Sequence, residues 1–122
     1  MLMLDGTGRD HPRRAGLALH LGDELGVPSV GVTHRPLLAS GPWPADHRGA
    51  TSPLRIGAEV VGCWMRTRPG IRPLAVHPGW RIDLRTAVDL VLLATGTDRT
   101  PEPLRQARHA ARAARSAEDP DT

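Results

Sequence analysis

The sequence predicts an α/β domain with a mixed sheet and flanking helices. Three observations carry this reading. A short apolar run, a helical stripe and a β-branched run follow one another between Met1 and Val32. Two alternating runs around Arg68-Pro69-Gly70-Ile71 have the pattern of a β-hairpin. Two helical patterns then close the chain. At 122 residues, one domain is expected.

Met1–Leu4 reads as a strand. From Pro12 to Leu25 a helix is expected, with Leu17, Leu21 and Leu25 in one stripe beside Ala18. Asp10 is its candidate N-cap and Gly26 its stop. Ser29–Val32 is a β-branched strand, and strand–helix–strand order implies a parallel pair with the helix as crossover. The stretch 35–53 is rich in Pro, Gly, Ser and Ala and reads as a long loop, of the kind that is functional or disordered.

Residues 59–67 and 72–77 form the two arms of the hairpin, with Val61, Cys63 and Met65 expected on one face. Asp83 is placed to cap a helix whose stripe is Leu84, Val88, Val91 and Leu92. Pro101–Arg115 is a further helix, opened by Pro and by acid in its first turn. Residues 116–122 are a polar, acidic tail, expected to be disordered, so the domain is expected to span 1–115. The first strand has no earlier partner, and a sheet built this way is expected to be incomplete at that edge.

Composition narrows the setting. Hydrophobic residues make up 39% and charged residues 24%, the balance of a globular domain. With three Trp and no Phe or Tyr, the core falls to Leu, Val and Ala. All 16 basic residues are Arg, so the net charge is only +3. Arg binds two phosphate oxygens in its planar fork, although an Arg-, Ala- and Pro-rich chain without Lys is also what GC-rich codons produce. The single Cys63 excludes an internal disulfide and fits a reducing compartment. No run approaches the ~20 apolar residues of a membrane helix. Met-Leu-Met-Leu meets Asp5 at once, which is no signal peptide. The expectation is a cytoplasmic protein with no membrane contact.

The stretch Leu4–Ala18 carries most of the functional information. An acid ending a strand can serve a divalent metal, the glycines beside it admit a ligand to the backbone, and arginines a turn away meet phosphate. Asp-Gly-x-Gly alone is also common turn chemistry. The surrounding blocks extend the pattern. Asp5-Gly6-Thr7-Gly8, His11-Pro12-Arg13-Arg14, Gly16-Leu17-Ala18 and His20-Leu21-Gly22 are followed by Val27-Pro28-Ser29-Val30-Gly31-Val32. Gly62-Cys63-Trp64-Met65-Arg66-Thr67-Arg68, Val76-His77-Pro78-Gly79 and Pro101-Glu102-Pro103-Leu104-Arg105-Gln106-Ala107 come next, in order.

These blocks resemble the endonuclease V family across nearly the whole chain. The match falls on the family's second half. The resemblance implies an RNase H-like fold lacking its N-terminal strands. It implies Mg²⁺-dependent hydrolysis, with Mn²⁺ as an alternative ion, of a phosphodiester near deoxyinosine or inosine in DNA or RNA. Asp5 then corresponds to the family's metal-binding Asp of DGxG, and His11 to the His that supports the metal or the substrate backbone. Gly6, Gly16, Leu17 and Leu37 correspond to the pocket for the deaminated base, where a flipped base needs a tight apolar slot with backbone donors. Gly8 belongs to the same loop, and Arg13 and Arg14 to the strand-positioning helix start. The other family carboxylates lie in the half not matched here.

The sequence also departs from the family. The family's Lys after the Gly-Val strand is His34, which with an ordinary pKa would be mostly neutral. Its Ser before Pro-Gly is His77, the His after it is Trp80, and Arg108 stands where the final helix usually has acid or His.

Other residues have plain readings beside the functional ones. His11 is either a site residue or one satisfied by local bonds at a helix start. His20 reads as structural on the helix body, and His34, His47, His77 and His109 lack zinc-ligand spacing. Cys63 reads as buried filler. Arg105, Arg108, Arg112 and Arg115 share a helical face that is either solvated or phosphate-tracking. Trp43, Trp64 and Trp80 form no stacking series in the sequence. Two other readings stay open: a member without catalysis that retains nucleic-acid binding, and an interaction module completed by a second chain.

Overall fold

The computed structural model describes residues 1–95. The predicted helix 101–115, its arginine face and the tail 116–122 lie outside these residues. Five strands and two helices follow in the order β1 (Leu2–Leu4), α1 (Leu17–Leu25), β2 (Ser29–Thr33), β3 (Thr51–Ile56), β4 (Glu59–Met65), β5 (Leu74–Pro78) and α2 (Leu84–Thr95). They form one mixed sheet of order β1-β2-β5-β4-β3. β1 pairs with β2 in parallel, through Leu2↔Ser29, Met3↔Val30 and Leu4↔Gly31, as the crossover helix requires. The remaining pairs are antiparallel.

The two faces of the sheet are covered differently. Val30, Val32, Cys63, Met65, Leu74 and Val76 point toward α2 and pack with its Ala87 and Val91. Ile82, Leu84, Val88 and Leu92 flank that cluster, so the predicted stripe of α2 holds. Asp83 caps the helix by accepting the Thr86 backbone N–H at 2.7 Å. That hydrogen bond holds its carboxyl below the usual carboxylate range. On the opposite face α1 lies over β1 and β2. Ser29 Oγ donates to Ala18 O at 2.6 Å and accepts the Trp80 backbone N–H at 2.8 Å, tying helix, strand and the end of β5 together.

The start and packing of α1 differ from the expectation. It starts at Leu17, not at Pro12, with Gly16 as N-cap and no side-chain cap. Its buried residues are Ala18 and Gly22 rather than the leucine stripe, and Leu17 and Leu25 are more than half exposed. The reason is close approach. Gly22 lies against Ser29 and the Trp80 side chain, and Ala18 against Gly31. A leucine cannot occupy a helix–sheet gap this narrow. Gly26 ends the helix in the left-handed region at φ 67, as expected.

The segment read as a loop over 35–53 contains the first residues of β3, which pairs with β4 along its whole length. Its Pro53 and Arg55 mask the alternation. The rest of the segment is ordered by hydrogen bonds from two arginines. Arg66, 7% exposed, donates to Pro44 O and Ile71 O at 3.1 and 2.7 Å. Arg48 donates to Thr67 O and Leu92 O at 2.8 and 2.9 Å. The hairpin arms appear as β4 and β5, but Val61 does not share a face with Cys63 and Met65. A register shift between Leu54 and Arg55 turns Val61 to the other face, where it packs with Ala39, Leu54, Trp64 and Ala75. Among the described residues, no helix is long and apolar enough to cross a membrane.

Candidate functional site

Asp5 follows β1 and is exposed. From there the chain turns across the sheet instead of away from it. The Gly6 carbonyl rests on Gly31 of β2, and Gly8 rests on the Pro78 carbonyl at the end of β5. A Cβ at Gly8 or Gly31 would run into those backbone carbonyls, so both positions require glycine for space. The crossing is closed by Gly16 N–H to Gly8 O at 2.6 Å and Ala18 N–H to Thr7 O at 3.0 Å. Beyond it, Arg9 reaches β4, donating to Glu59 Oε1 at 2.6 Å and Val60 O at 3.1 Å.

Asp10, the candidate N-cap, has a different task. It is fully buried, and its carboxylate accepts three backbone N–H groups, from Leu37 and Leu38 at 2.6 Å and Ala39 at 2.8 Å. One side chain thus fastens the loop after β2 to the glycine crossing. Nothing in the sequence signals this anchor beyond an acid after a glycine turn.

His77 of β5 lies fully buried on the same face. Its Nε2 pairs with Thr33 Oγ1 at 2.9 Å, and Thr33 Oγ1 donates to Arg35 O at 2.7 Å. The Thr33 hydroxyl proton is therefore spent on Arg35, so Nε2 carries the imidazole proton. Nδ1 is buried without a partner. Burial pushes the His77 pKa down from 6.5 to about 4, against an upward pull from the Asp10 charge. His77 is therefore neutral at ordinary pH.

The expected site residues separate into groups. Gly6 and Leu17 meet: a Cβ on Gly6 would stand 2.9 Å from the Leu17 Cβ. Leu37, 56% exposed, is tied to the same loop through Asp10. Gly8 and Gly16 are buried, and Gly16 fits tightly against Thr7. They pack backbone on backbone and do not line a surface. His11 is half-buried, and its Nδ1 accepts the Arg13 backbone N–H at 3.0 Å, the local-turn arrangement. Arg13 and Arg14 are exposed in that turn, Arg14 at φ 58, and not in the first turn of α1, which begins three residues later. His34 lies half-buried just past β2.

Trp64 is a packing residue, 5% exposed in a core cluster. Trp43 and Trp64 meet edge to face, with centroids 6.4 Å apart and planes at 74°. Trp80 lies apart, under Arg81 at 4.4 Å. A cavity of about 400 Å³ opens between α2 and the β3–β4 edge, lined by Thr51, Pro53, Cys63, Leu84, Arg85 and Val88. It includes none of the expected site residues. Burial pushes the Cys63 thiol up to about 12, so it is inert filler.

Mg²⁺ asks for near-octahedral oxygen coordination, and Asp5 is one donor. Among the described residues, no three His, Cys, Asp or Glu side chains gather to hold a metal ion. The donors described here do not by themselves make a magnesium site.

The family model for Endonuclease V matches residues 1–109. The chain belongs to the Endonuclease V family. An Endonuclease V of Roseiflexus castenholzii is 46% identical over 108 residues, 88% of this chain and 48% of that protein. The crystal structure of Endonuclease V from Streptomyces avermitilis superposes with TM-score 0.90 at 41% identity, covering 96% of this chain and 52% of that one. A Ciona intestinalis Endonuclease V, in complex with a 24mer DNA containing an inosine followed by a ribo-adenosine, shares the fold at TM-score 0.74 and 23% identity. The chain thus spans about half the length of the Endonuclease V proteins it matches.

Proposed function

We propose that this chain provides one side of an Endonuclease V nuclease site. It recognises a deaminated adenine in DNA or RNA and presents Asp5 for hydrolysis of a nearby phosphodiester. The observation that carries the proposal is the glycine crossing. It sets an exposed carboxylate beside Leu17 and Gly6 and, through Asp10, holds Leu37 to the same loop. The two leucines and the Gly6 backbone form the apolar slot for the base. Arg13 and Arg14 hold the phosphate backbone, His11 steadies the turn that bears them, and His34 lies on the strand's path. The Ciona protein of the same fold was captured with inosine-bearing DNA.

Hydrolysis needs further carboxylates for a divalent cation, Mg²⁺ or Mn²⁺, and polypeptide outside these 122 residues supplies them. A cytoplasmic setting suits the reduced Cys63 and the nucleic-acid substrate. The test is complementation. The chain alone is expected not to nick an inosine-containing oligonucleotide with Mg²⁺. Co-expression with the N-terminal half of a relative is expected to restore nicking at the inosine and raise the melting temperature. Asp5→Ala in the complemented enzyme should abolish nicking with little change in melting. Inosine-specific nicking by the isolated chain, or a complemented enzyme blind to inosine, would overturn the proposal.

A further inference from the structure

Trp43 lies between two prolines on the loop after β2 and is 52% exposed, a large apolar ring kept at the surface. It is held there firmly. Its edge-to-face neighbour Trp64 is 5% exposed and donates Nε1–H to Gly41 O at 3.1 Å. The Arg66 guanidinium, fixed by the carbonyls of Pro44 and Ile71, lies 5.5 Å from the Trp43 ring. Arg72, itself exposed, places its guanidinium 5.5 Å from the Trp43 ring and 6.0 Å from Trp64. Cation–aromatic contacts of this kind fix the orientation of a ring at a modest gain each.

The topology connects this cluster to Asp5. β1 and β2 run parallel, both opposite to β5, and β5 runs opposite to β4. The carboxyl ends of β1, β2 and β4 therefore share one edge of the sheet. Thr33, Ala75 and Trp64 lie in one row across it. From β1 to β4 there are three strand spacings, about 14 Å at ~4.8 Å each, a span of a few nucleotides. Exposed Arg35, Arg68 and Arg72 line the interval or its far end. Asp46 lies among them, 3.6 Å from Arg66 Nε and bonded to the Gly70 N–H. Basic charge interleaved with a presented indole fits a polyanion that carries aromatic bases.

We propose that Trp43 and Arg72 form a stacking site for one unpaired base of a single-stranded nucleic acid, on the sheet edge that carries Asp5. Trp43 offers its ring to the base and Arg72 meets the adjoining phosphate. The proposal rests on the nucleic-acid reading above and deepens it. Stacking is sequence-tolerant, so this site grips a flanking nucleotide and not the deaminated base.

The test titrates the full chain with labelled oligothymidine, with an abasic strand of equal length and charge, and with an inosine-bearing strand. Trp43→Ala is expected to weaken oligothymidine binding about tenfold and leave the abasic strand unchanged, while Trp43→Phe keeps most of the affinity. Arg72→Ala is expected to weaken both strands and lower the salt slope by about one. In the unaltered chain, oligothymidine should quench tryptophan emission and the abasic strand should not, which needs no variant to fold. Equal losses on both strands would overturn the proposal. So would no loss on either, the result for a protein-binding patch. No preference for inosine over thymidine strands would instead fail the Asp5-loop reading and leave the stacking site standing.

Discussion

Asp10 and Leu37 lie 27 positions apart in sequence, yet the carboxylate of one accepts the backbone N–H of the other at 2.6 Å inside the protein. The same carboxylate takes the next two N–H groups. A short polar side chain is thus the joint between the loop that presents Asp5 and the loop that presents Leu37.

Replacing Asp10 with Ala should leave these donors without their buried carboxylate, most completely the N–H of Ala39, which is 5% exposed. Each unsatisfied donor costs on the order of 1–3 kcal/mol, so a loss of about 3 kcal/mol or more in urea unfolding is expected. Asp10→Asn retains one acceptor oxygen and should lose less. A change near zero for Asp10→Ala would mean that water replaces the carboxylate and the joint is not structural.

Gly8→Ala should be among the most harmful alanine substitutions in the chain. The new methyl meets the Pro78 carbonyl, which is backbone and cannot swing aside. Overpacking of this kind costs roughly 1–3 kcal/mol or more. Gly6→Ala meets the Leu17 side chain instead of a carbonyl; its Cβ at 2.9 Å is fixed to α1 but its outer carbons can give, and the change should cost less. The order of the two melting temperatures checks the argument. Equal shifts would mean that the crossing has slack.

His77 predicts a pH dependence with a definite sign. Its pKa in the folded protein is near 4 and its ordinary value 6.5, so the unfolded chain binds its proton more readily. Stability from this residue is fully present above pH 6.5 and drains away as pH falls toward 4. At 1.36 kcal/mol per unit, the loss is of the order of 3 kcal/mol by about pH 4. His77→Ser should flatten this part of the curve. Unfolding free energies measured between pH 7 and 4 provide the check, and an unchanged slope in the variant would refute it.

Arg13→Ala with Arg14→Ala should weaken nucleic-acid binding uniformly across sequences. Two fewer phosphate contacts should lower the salt slope by about two. A selective loss on inosine strands would instead place these arginines against the base.

Elements governed by local chemistry were legible in the sequence. The Asp83 cap, the Gly26 stop, the β1–α1–β2 crossover and the β4–β5 hairpin depend on residues close together in the chain. The misreadings have causes that periodicity does not show, some local and some set by the fold. α1 begins late because residues 12–15 are held in a turn by His11, through the N–H groups of Arg13 and Arg14. Its leucines face outward because Gly22 of α1 and Gly31 of β2 bring helix and sheet too close for them. Val61 changes face because it is the extra residue of β4 at the register shift opposite Leu54 and Arg55. The pairing of Trp43 with Trp64 depends on a loop whose path is set by Arg66. Around the candidate site, the glycine turn after β1 was legible as a turn that needs glycine. The anchoring by Asp10 and the burial of His77 were not, because both depend on what the fold stacks above them.

The glycine crossing also orders events in time. Gly8 is synthesised well before its seat, the carbonyl of Pro78, and Arg9 waits for Glu59 and Val60. A nascent chain that ends before β5 has nowhere to lay this loop. Contacts this distant in sequence form late and slow the folding rate, because a long loop must close before they add stability. The presentation of Asp5 therefore depends on β5 being in the sheet and loses its support when β5 leaves.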